Sequence, residues 1–323
     1  MLLDGFGRRV DYLRLSVSDR CDLRCSYCMP EGFKGYEKPG HWLSFDEIER
    51  LLGVFARLGL RRVRLTGGEP LLRKNLSDLA RRLAALPGID DLSLSTNGTQ
   101  LAKFAAPLRQ AGITRLNVSL DSLERERFRS ICRRDALQQV IDGLEVARSE
   151  GFRSIKINMV ALAGTTDAEI DAVVAYCMER GFVLRLIETM PMGETGRSAG
   201  FLDLGPVRER LRQRFRLIDG VVPGGGPARY LVAPDGSFQI GFITPISQHF
   251  CETCNRVRLS VDGALHLCLG QEDRVAFRPL LRGGCTDDEL EQALLEGLRR
   301  KPARHKFAKQ TGEIVRFMSM TGG

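Results

Sequence analysis

The chain has 323 residues, 43% hydrophobic and 27% charged, enough for a barrel-sized domain plus a smaller one. No apolar run is long enough to span a bilayer, and the start Met1-Leu-Leu-Asp-Gly-Phe-Gly-Arg-Arg lacks a secretory apolar core and cleavage site, so a cytoplasmic protein is expected. A net charge of +8 suits a polyanionic ligand or nucleic acid, yet part of it reads as solvated surface, such as the run Arg299, Arg300, Lys301, and charge alone does not choose.

The first strand-like run, residues 13–17, leads into Cys21-Asp-Leu-Arg-Cys25-Ser-Tyr27-Cys28, three thiols spaced C-x3-C-x2-C on a short loop. Three clustered thiolates can hold three irons of a 4Fe-4S cube and leave the fourth open to a small ligand, whereas structural zinc closes its tetrahedron with four protein ligands. A zinc site with a distant fourth ligand and thiols packed in a core are the alternatives; the polar Arg/Asp/Ser context and the lack of a nearby histidine favour the cluster. Ser44-Phe-Asp-Glu47 is a capping box opening a helix on which Ile48, Leu51, Leu52 and Phe55 recur at helical spacing. Further strands are expected at 63–65, 92–95, 116–120, 155–160 and 183–187, and helices at 76–86, 101–111, 137–149 and 168–179. Six β-then-α units give parallel strands with crossover helices, either a doubly wound sheet or part of a (β/α)8 barrel.

Polar and glycine-rich groups follow the strand ends, where parallel α/β folds assemble their sites. They are the cysteine loop, Thr66-Gly67-Gly68-Glu69-Pro70, Ser95-Thr96-Asn97-Gly98, Asn117-Val-Ser119-Leu-Asp121-Ser122, Lys156 with Asn158, and Glu188-Thr-Met190-Pro191. Beyond Gly200 the rhythm changes: a connecting helix at 206–215, then short strands at 229–232 and 238–243 punctuated by Gly/Pro turns. The expected division is therefore 1–215 and 216–323. The second part holds another thiol triad, Cys251, Cys254 and Cys268, beside Asn255 and the run Arg256-Val257-Arg258. His266 or Cys285 could complete a zinc site here, although paired arginines and Asn255 suit a ligand site better than a structural staple. In a strand, Arg256 and Arg258 share one face, two forks suited to a polyphosphate. With six of nine cysteines in two triads, a reducing compartment and metal ligation fit better than disulfides; Cys132, Cys177 and Cys285 read as packing residues.

The C-x3-C-x-aromatic-C spacing, with Tyr27 as the aromatic, and the GGEP after the second strand resemble the radical S-adenosylmethionine (SAM) superfamily. With the second triad, the C-N-R-x-R run and the terminal Gly322-Gly323, the chain is similar over essentially its whole length to the GTP 3',8-cyclase family of that superfamily. The resemblance implies an incomplete (β/α)6 TIM-like barrel whose mouth is closed by a C-terminal sheet-containing domain. It implies two 4Fe-4S clusters, on Cys21, Cys25 and Cys28 and on Cys251, Cys254 and Cys268, facing each other across one cavity. Tyr27, Gly68, Ser119 and Met190 match the family's SAM contacts; Arg14, Arg64, Ser95, Lys156, Arg256, Val257 and Arg258 match its GTP contacts, with Ser95 standing where threonine is usual. Gly322 and Gly323 match a tail needed for the radical step.

The implied reaction abstracts the 3' hydrogen of GTP by a 5'-deoxyadenosyl radical and joins C3' to C8, giving (8S)-3',8-cyclo-7,8-dihydroguanosine 5'-triphosphate, the first step of molybdenum cofactor biosynthesis. Implied partners are a reductant protein such as flavodoxin or ferredoxin and a downstream cyclic pyranopterin monophosphate synthase, with no membrane or nucleic acid; a homodimer is left open. Rival readings are another two-cluster radical SAM enzyme, such as a peptide-modifying maturase, and a metal-bound nucleic-acid-binding protein.

Overall fold

The computed structural model describes residues 1–222, 225–307 and 314–322. Six parallel strands, β1 (Tyr12–Ser18), β2 (Arg62–Gly67), β3 (Asp91–Thr96), β4 (Arg115–Ser119), β5 (Ser154–Ala161) and β6 (Val183–Glu188), stand side by side in chain order. Their crossovers carry α1 (Phe45–Arg57), α2 (Leu76–Ala84), α3 (Leu101–Gln110), the pair α4 (Arg125–Cys132) and α5 (Leu137–Ser149), and α6 (Asp167–Arg180). All six expected strands and the expected crossover helices are present. The additional helix, α4, buries only Phe128, Ile131 and Cys132 in a charged octet, too little apolar surface to display a helical period in the sequence. Ser44 and Glu47 form the capping box that starts α1, as their spacing predicts.

After β6 come α7 (Gly193–Ser198), α8 (Leu204–Arg214), β7 (Ile218–Gly220), β8 (Arg229–Val232) and β9 (Gln239–Ile243), the last parallel to β6. The chain then crosses to the opposite edge, where β10 (Arg256–Leu259) pairs parallel with β1, followed by antiparallel β11 (Ala264–His266) and β12 (Arg274–Ala276). The chain continues through α9 (Phe277–Arg282), α10 (Asp287–Arg299) and α11 (Met318–Thr321). The later strands thus do not form a sheet of their own. They extend both edges of the barrel sheet, giving one twelve-stranded sheet that stays open. Asn255 helps lock one seam: its carbonyl accepts from the backbone N–H groups of Asp11 (3.1 Å) and Tyr12 (3.2 Å), and its side chain donates to Asp11 at 2.7 Å. These bonds tie the start of β10 to β1.

Outward-facing strand residues make the core with the helices. Leu13, Leu15, Val63, Leu65, Leu184, Leu186 and Leu259 are all 0% exposed, each contributing about 1.5–3 kcal/mol of transfer free energy. Among the described residues no helix is long and apolar enough to cross a membrane.

Candidate functional site

Four strands repeat one pattern, an arginine between two aliphatic residues: Leu13-Arg14-Leu15, Val63-Arg64-Leu65, Leu184-Arg185-Leu186 and Val257-Arg258-Leu259. Side chains alternate across a strand, so packing the aliphatic residues under the helices turns each arginine into the barrel. Parallel register sets Arg258, Arg14 and Arg64 directly beside one another on β10, β1 and β2. Like charges facing each other across strands destabilise a sheet. Burial, with Arg258 and Arg64 alongside, holds the Arg14 guanidinium well below its usual range; burial and Arg256 bring Arg258 down to about 9, and burial and Arg64 bring Arg185 to about 10.

A cavity of about 210 Å³ opens over these arginines. It is lined by Arg14, Arg64, Arg185, Arg256, Val257 and Arg258, by Tyr27 and Cys28 from the first thiol loop, by Ser119 and Met190, and by all of Cys251, Cys254 and Cys268. Its single carboxylate among the described residues, Glu188, is occupied, accepting from the backbone N–H groups of Ile246 and Ser247 at 3.2 Å and from the Ser247 hydroxyl. The cavity is therefore strongly cationic and able to take a polyanion.

A second cavity of about 110 Å³ adjoins the first, sharing Tyr27, Cys28, Ser119 and Asn158. It brings together Cys21, Cys25, Cys28, Gly67, Gly68, Ser95, Asn97 and Asp121. The backbone at Gly67–Glu69 runs against residues 18–20: Gly68 N–H donates to Ser18 O and Glu69 N–H to Arg20 O, both at 2.7 Å. A Cβ on Gly68 would lie 2.3 Å from Arg20 O, so only glycine permits this approach. Buried Glu69 accepts from Thr96 Oγ1 (2.7 Å), Asn97 N–H (2.6 Å) and Leu71 N–H (3.0 Å), and burial raises its carboxyl to about 7. Asn97 in turn donates to Asp22 at 2.7 Å and toward Cys21 Sγ at 3.6 Å. Tyr27 donates to Asp121 at 2.7 Å, and Asp121 also accepts from Val160 N–H at 2.8 Å, which fixes the aromatic ring of the motif. Cys132, which its burial fits as a packing residue, also lines this cavity; Arg24 N–H donates to its carbonyl at 3.0 Å, pinning the cysteine loop to α4.

The second triad is framed by two cations from opposite ends of the chain. Arg8 donates to Cys251 O at 2.7 Å and is itself held by Asp4 at 2.6 Å. Lys301 is 2% exposed and corrects the expectation of a solvated charge run: its ammonium donates to Leu267 O (2.7 Å), Arg256 O (3.0 Å) and Cys254 Sγ (3.5 Å). Burial opposes the Cys254 thiolate, but Lys301 and Arg256 outweigh it and lower the thiol below its usual range. His266 lines the same cavity and burial drives it down to about 3, while Cys285 is absent from the cavity lining. Among the described residues no three His, Cys, Asp or Glu side chains are grouped to hold a metal ion. Each triad supplies three free thiols, the donor set that could hold three irons of a 4Fe-4S cube.

Not every expected contact reaches the arginine cavity. Lys156 sits in an adjacent recess of about 40 Å³ that it shares with Arg64 and Arg185, and donates to the Tyr230 hydroxyl at 3.2 Å. Ser95 lies with the first triad, and so does Gly68. Gly322, at φ +73°, accepts from Arg258, which also donates to Thr321 O at 3.2 Å. Gly323 lies outside the described residues. From the sequence, Asn97 and Asp121 are placed past strand ends without a role and Arg185 is passed over, although the repeated aliphatic-Arg-aliphatic triplet is its available signal.

An open parallel barrel carrying a three-cysteine loop after its first strand and a glycine pair after its second defines a radical SAM protein. The radical SAM superfamily matches residues 15–177 and the Molybdenum Cofactor Synthesis C family residues 182–307. The chain is 48% identical to GTP 3',8-cyclase of Ectopseudomonas mendocina, covering 100% of this chain and 98% of that one. It is 46% identical to GTP 3',8-cyclase 1 of Pseudomonas aeruginosa, covering 99% of each. The chain belongs to the GTP 3',8-cyclase family. In fold it is similar to Streptococcus suis SuiB bound to S-adenosylmethionine, with a TM-score of 0.64 and 15% identity over 90% of this chain and 68% of that one.

Proposed function

We propose that the chain converts GTP to (8S)-3',8-cyclo-7,8-dihydroguanosine 5'-triphosphate, the opening step of molybdenum cofactor biosynthesis. One observation carries this reading: five arginines line a single cavity together with the whole second cysteine triad and Cys28 of the first, whose other two thiols line the adjoining cavity. Near-full-length relatives at 44–48% identity support the cyclase over a peptide-modifying maturase, because the likeness to SuiB is one of fold alone. In this reading Cys21, Cys25 and Cys28 hold the cluster that binds SAM, and Cys251, Cys254 and Cys268 hold a second 4Fe-4S cluster beside the purine. When bound, the first cluster and SAM supply the electron and the 5'-deoxyadenosyl radical that removes the 3' hydrogen.

The residues of the chain bind, orient and shield. Gly68, Tyr27, Ser119 and Met190 cradle SAM in and beside the smaller cavity. Arg14, Arg64, Arg185, Arg256 and Arg258 grip the triphosphate with charge-assisted hydrogen bonds, with Val257 against the nucleotide, Lys156 reached through Arg64 and Arg185, and Ser95 contributing from the smaller cavity. A ribose held between the two triads has its 3' position fixed toward the first, and such orientation can contribute about 7–11 kcal/mol to the barrier lowering. Residues 1–215 form the barrel that presents SAM and residues 216–323 the part that adds the second triad and the tail. A flavodoxin or ferredoxin as electron donor, a cyclic pyranopterin monophosphate synthase as acceptor of the product and a cytoplasmic location complete the proposal.

The test is anaerobic incubation of the reconstituted protein with SAM, dithionite and each nucleoside triphosphate in turn. 5'-Deoxyadenosine and a cyclised product should form with GTP and not with ATP, CTP or UTP; equal yields with all four would refute the assignment.

Two further results are expected. Arg256→Ala should weaken GTP binding by about 1.5–3 kcal/mol, roughly ten- to a hundredfold in Kd, and leave SAM binding unchanged. Calorimetry with each ligand reads both, and equal losses would indicate a damaged sheet instead. Lys156 is held at about 7 in the free protein by burial and by Arg185, Arg115 and Arg64. A triphosphate favours its charged form, so GTP binding should take up a proton above neutral pH, and affinity should fall as pH rises from about 7 to 9. Titrations in buffers of different ionisation enthalpy measure that proton, and Lys156→Met should remove it.

A further inference from the structure

The second triad comes from two separate segments. Cys251 and Cys254 precede β10, whereas Cys268 follows β11, and hydrogen bonding within the β10–β11 hairpin does not extend to either ligand segment. Lys301, just beyond α10, spans the gap. Its ammonium donates to Arg256 O, two residues after Cys254, to Leu267 O, one residue before Cys268, and to the Cys254 sulfur itself. The backbone that carries Lys301 is fixed in turn, because Arg8 donates to Pro302 O (2.6 Å) and Ala303 O (2.8 Å) as well as to Cys251 O. One buried cation thus braces two ligands, and a second joins the third ligand to the lysine segment.

A buried ammonium is costly unless a negative charge compensates it. Among the described residues no carboxylate pairs with Lys301; its partners are two carbonyls and one sulfur. The missing counter-charge is what an iron-sulfur cube bearing three thiolates supplies, since that assembly is an anion and gains further negative charge on reduction. Hydrogen bonds to cluster sulfurs and nearby charge are established determinants of cluster potential.

We propose that Lys301 is a positioning residue of the second cluster: it donates to the Cys254 sulfur, holds the two ligand segments in register so that the cluster presents a fixed face to the bound nucleotide, and through its charge raises the reduction potential of that cluster. This rests on the assignment of a second 4Fe-4S cluster to Cys251, Cys254 and Cys268. Removing the charge makes the added electron less favourable, so the potential should move down, not up. The first cluster, in its own cavity, should not respond.

The experiment uses anaerobically reconstituted full-length protein, wild type, Lys301→Met and Lys301→Gln. Iron content, a redox titration followed by electron paramagnetic resonance, and the spectral changes on adding GTP or SAM are measured for each. Lys301→Met should keep both clusters but show a lower potential for the GTP-responsive one and a weakened GTP-induced change, with the SAM-induced change intact. Lys301→Gln, still a donor but uncharged, should keep the GTP-induced change while sharing the lowered potential. Wild-type potential and GTP response in Lys301→Met would overturn the proposal, as would loss of iron from both variants, which would mark a strut of the fold. A wild type holding roughly four irons instead of eight would fail the two-cluster assignment itself, a result distinct from eight irons with an unmoved potential.

Discussion

Cys25→Ser should abolish cleavage of SAM while the protein keeps about half its iron, and Cys254→Ser should do the converse: GTP turnover lost, part of the SAM cleavage retained without coupling to substrate. The two triads line adjoining cavities and are fixed by different groups. Asn97, Asp22 and the backbone of α4 hold the first, and Arg8 and Lys301 the second. Removing one thiolate therefore leaves the other scaffold standing. In Cys254→Ser the purine loses its anchor, and displacement of the ribose by about 1 Å is enough to cost roughly a hundredfold in rate. Iron assays together with 5'-deoxyadenosine yields, with and without GTP, separate the two variants. Loss of all iron from either single variant would refute independent sites.

Deleting Gly322 and Gly323 should stop transfer of the GTP 3' hydrogen while leaving GTP affinity within about threefold. Gly322 closes over the site from the side of β2: a Cβ there would stand 2.4 Å from Thr66 Cγ2, and its φ of +73° suits glycine alone. Its carbonyl, with that of Thr321, is held by Arg258, a guanidinium that also faces the cavity. Arg14, Arg64, Arg185 and Arg256 remain to grip the nucleotide without the tail, whereas the volume beside Thr66 would open to water and the reacting ribose would lose a wall. GTP labelled with deuterium at 3', followed into 5'-deoxyadenosine by mass spectrometry, reads the step directly. Normal deuterium transfer in the deletion variant would make the tail an ordinary chain end.

Much of the fold was legible because its signals are local. The period-2 strands, the capping box at Ser44 and Glu47, and the position of the cysteine loop and of Gly67-Gly68 just past strand ends all lie within a few residues of one another. Thiol spacing likewise sufficed to locate both triads. Local signals misled where charge was counted without burial: Lys301 reads as surface beside Arg299 and Arg300, yet it lies buried just beyond α10 and donates to Cys254 Sγ.

By itself the amino-acid sequence determined the six βα units, both cysteine triads, the glycine approach at Gly68 and the membership of this family, since each depends on residue type and short spacing. Only the tertiary structure decided that β9 and β10 extend opposite edges of one sheet, that Arg258, Arg14 and Arg64 stand in one row, and that Lys301 reaches Cys254. Those facts join residues more than forty positions apart, and such pairings are set by strand register and by where a buried charge can find partners, neither of which a local pattern encodes.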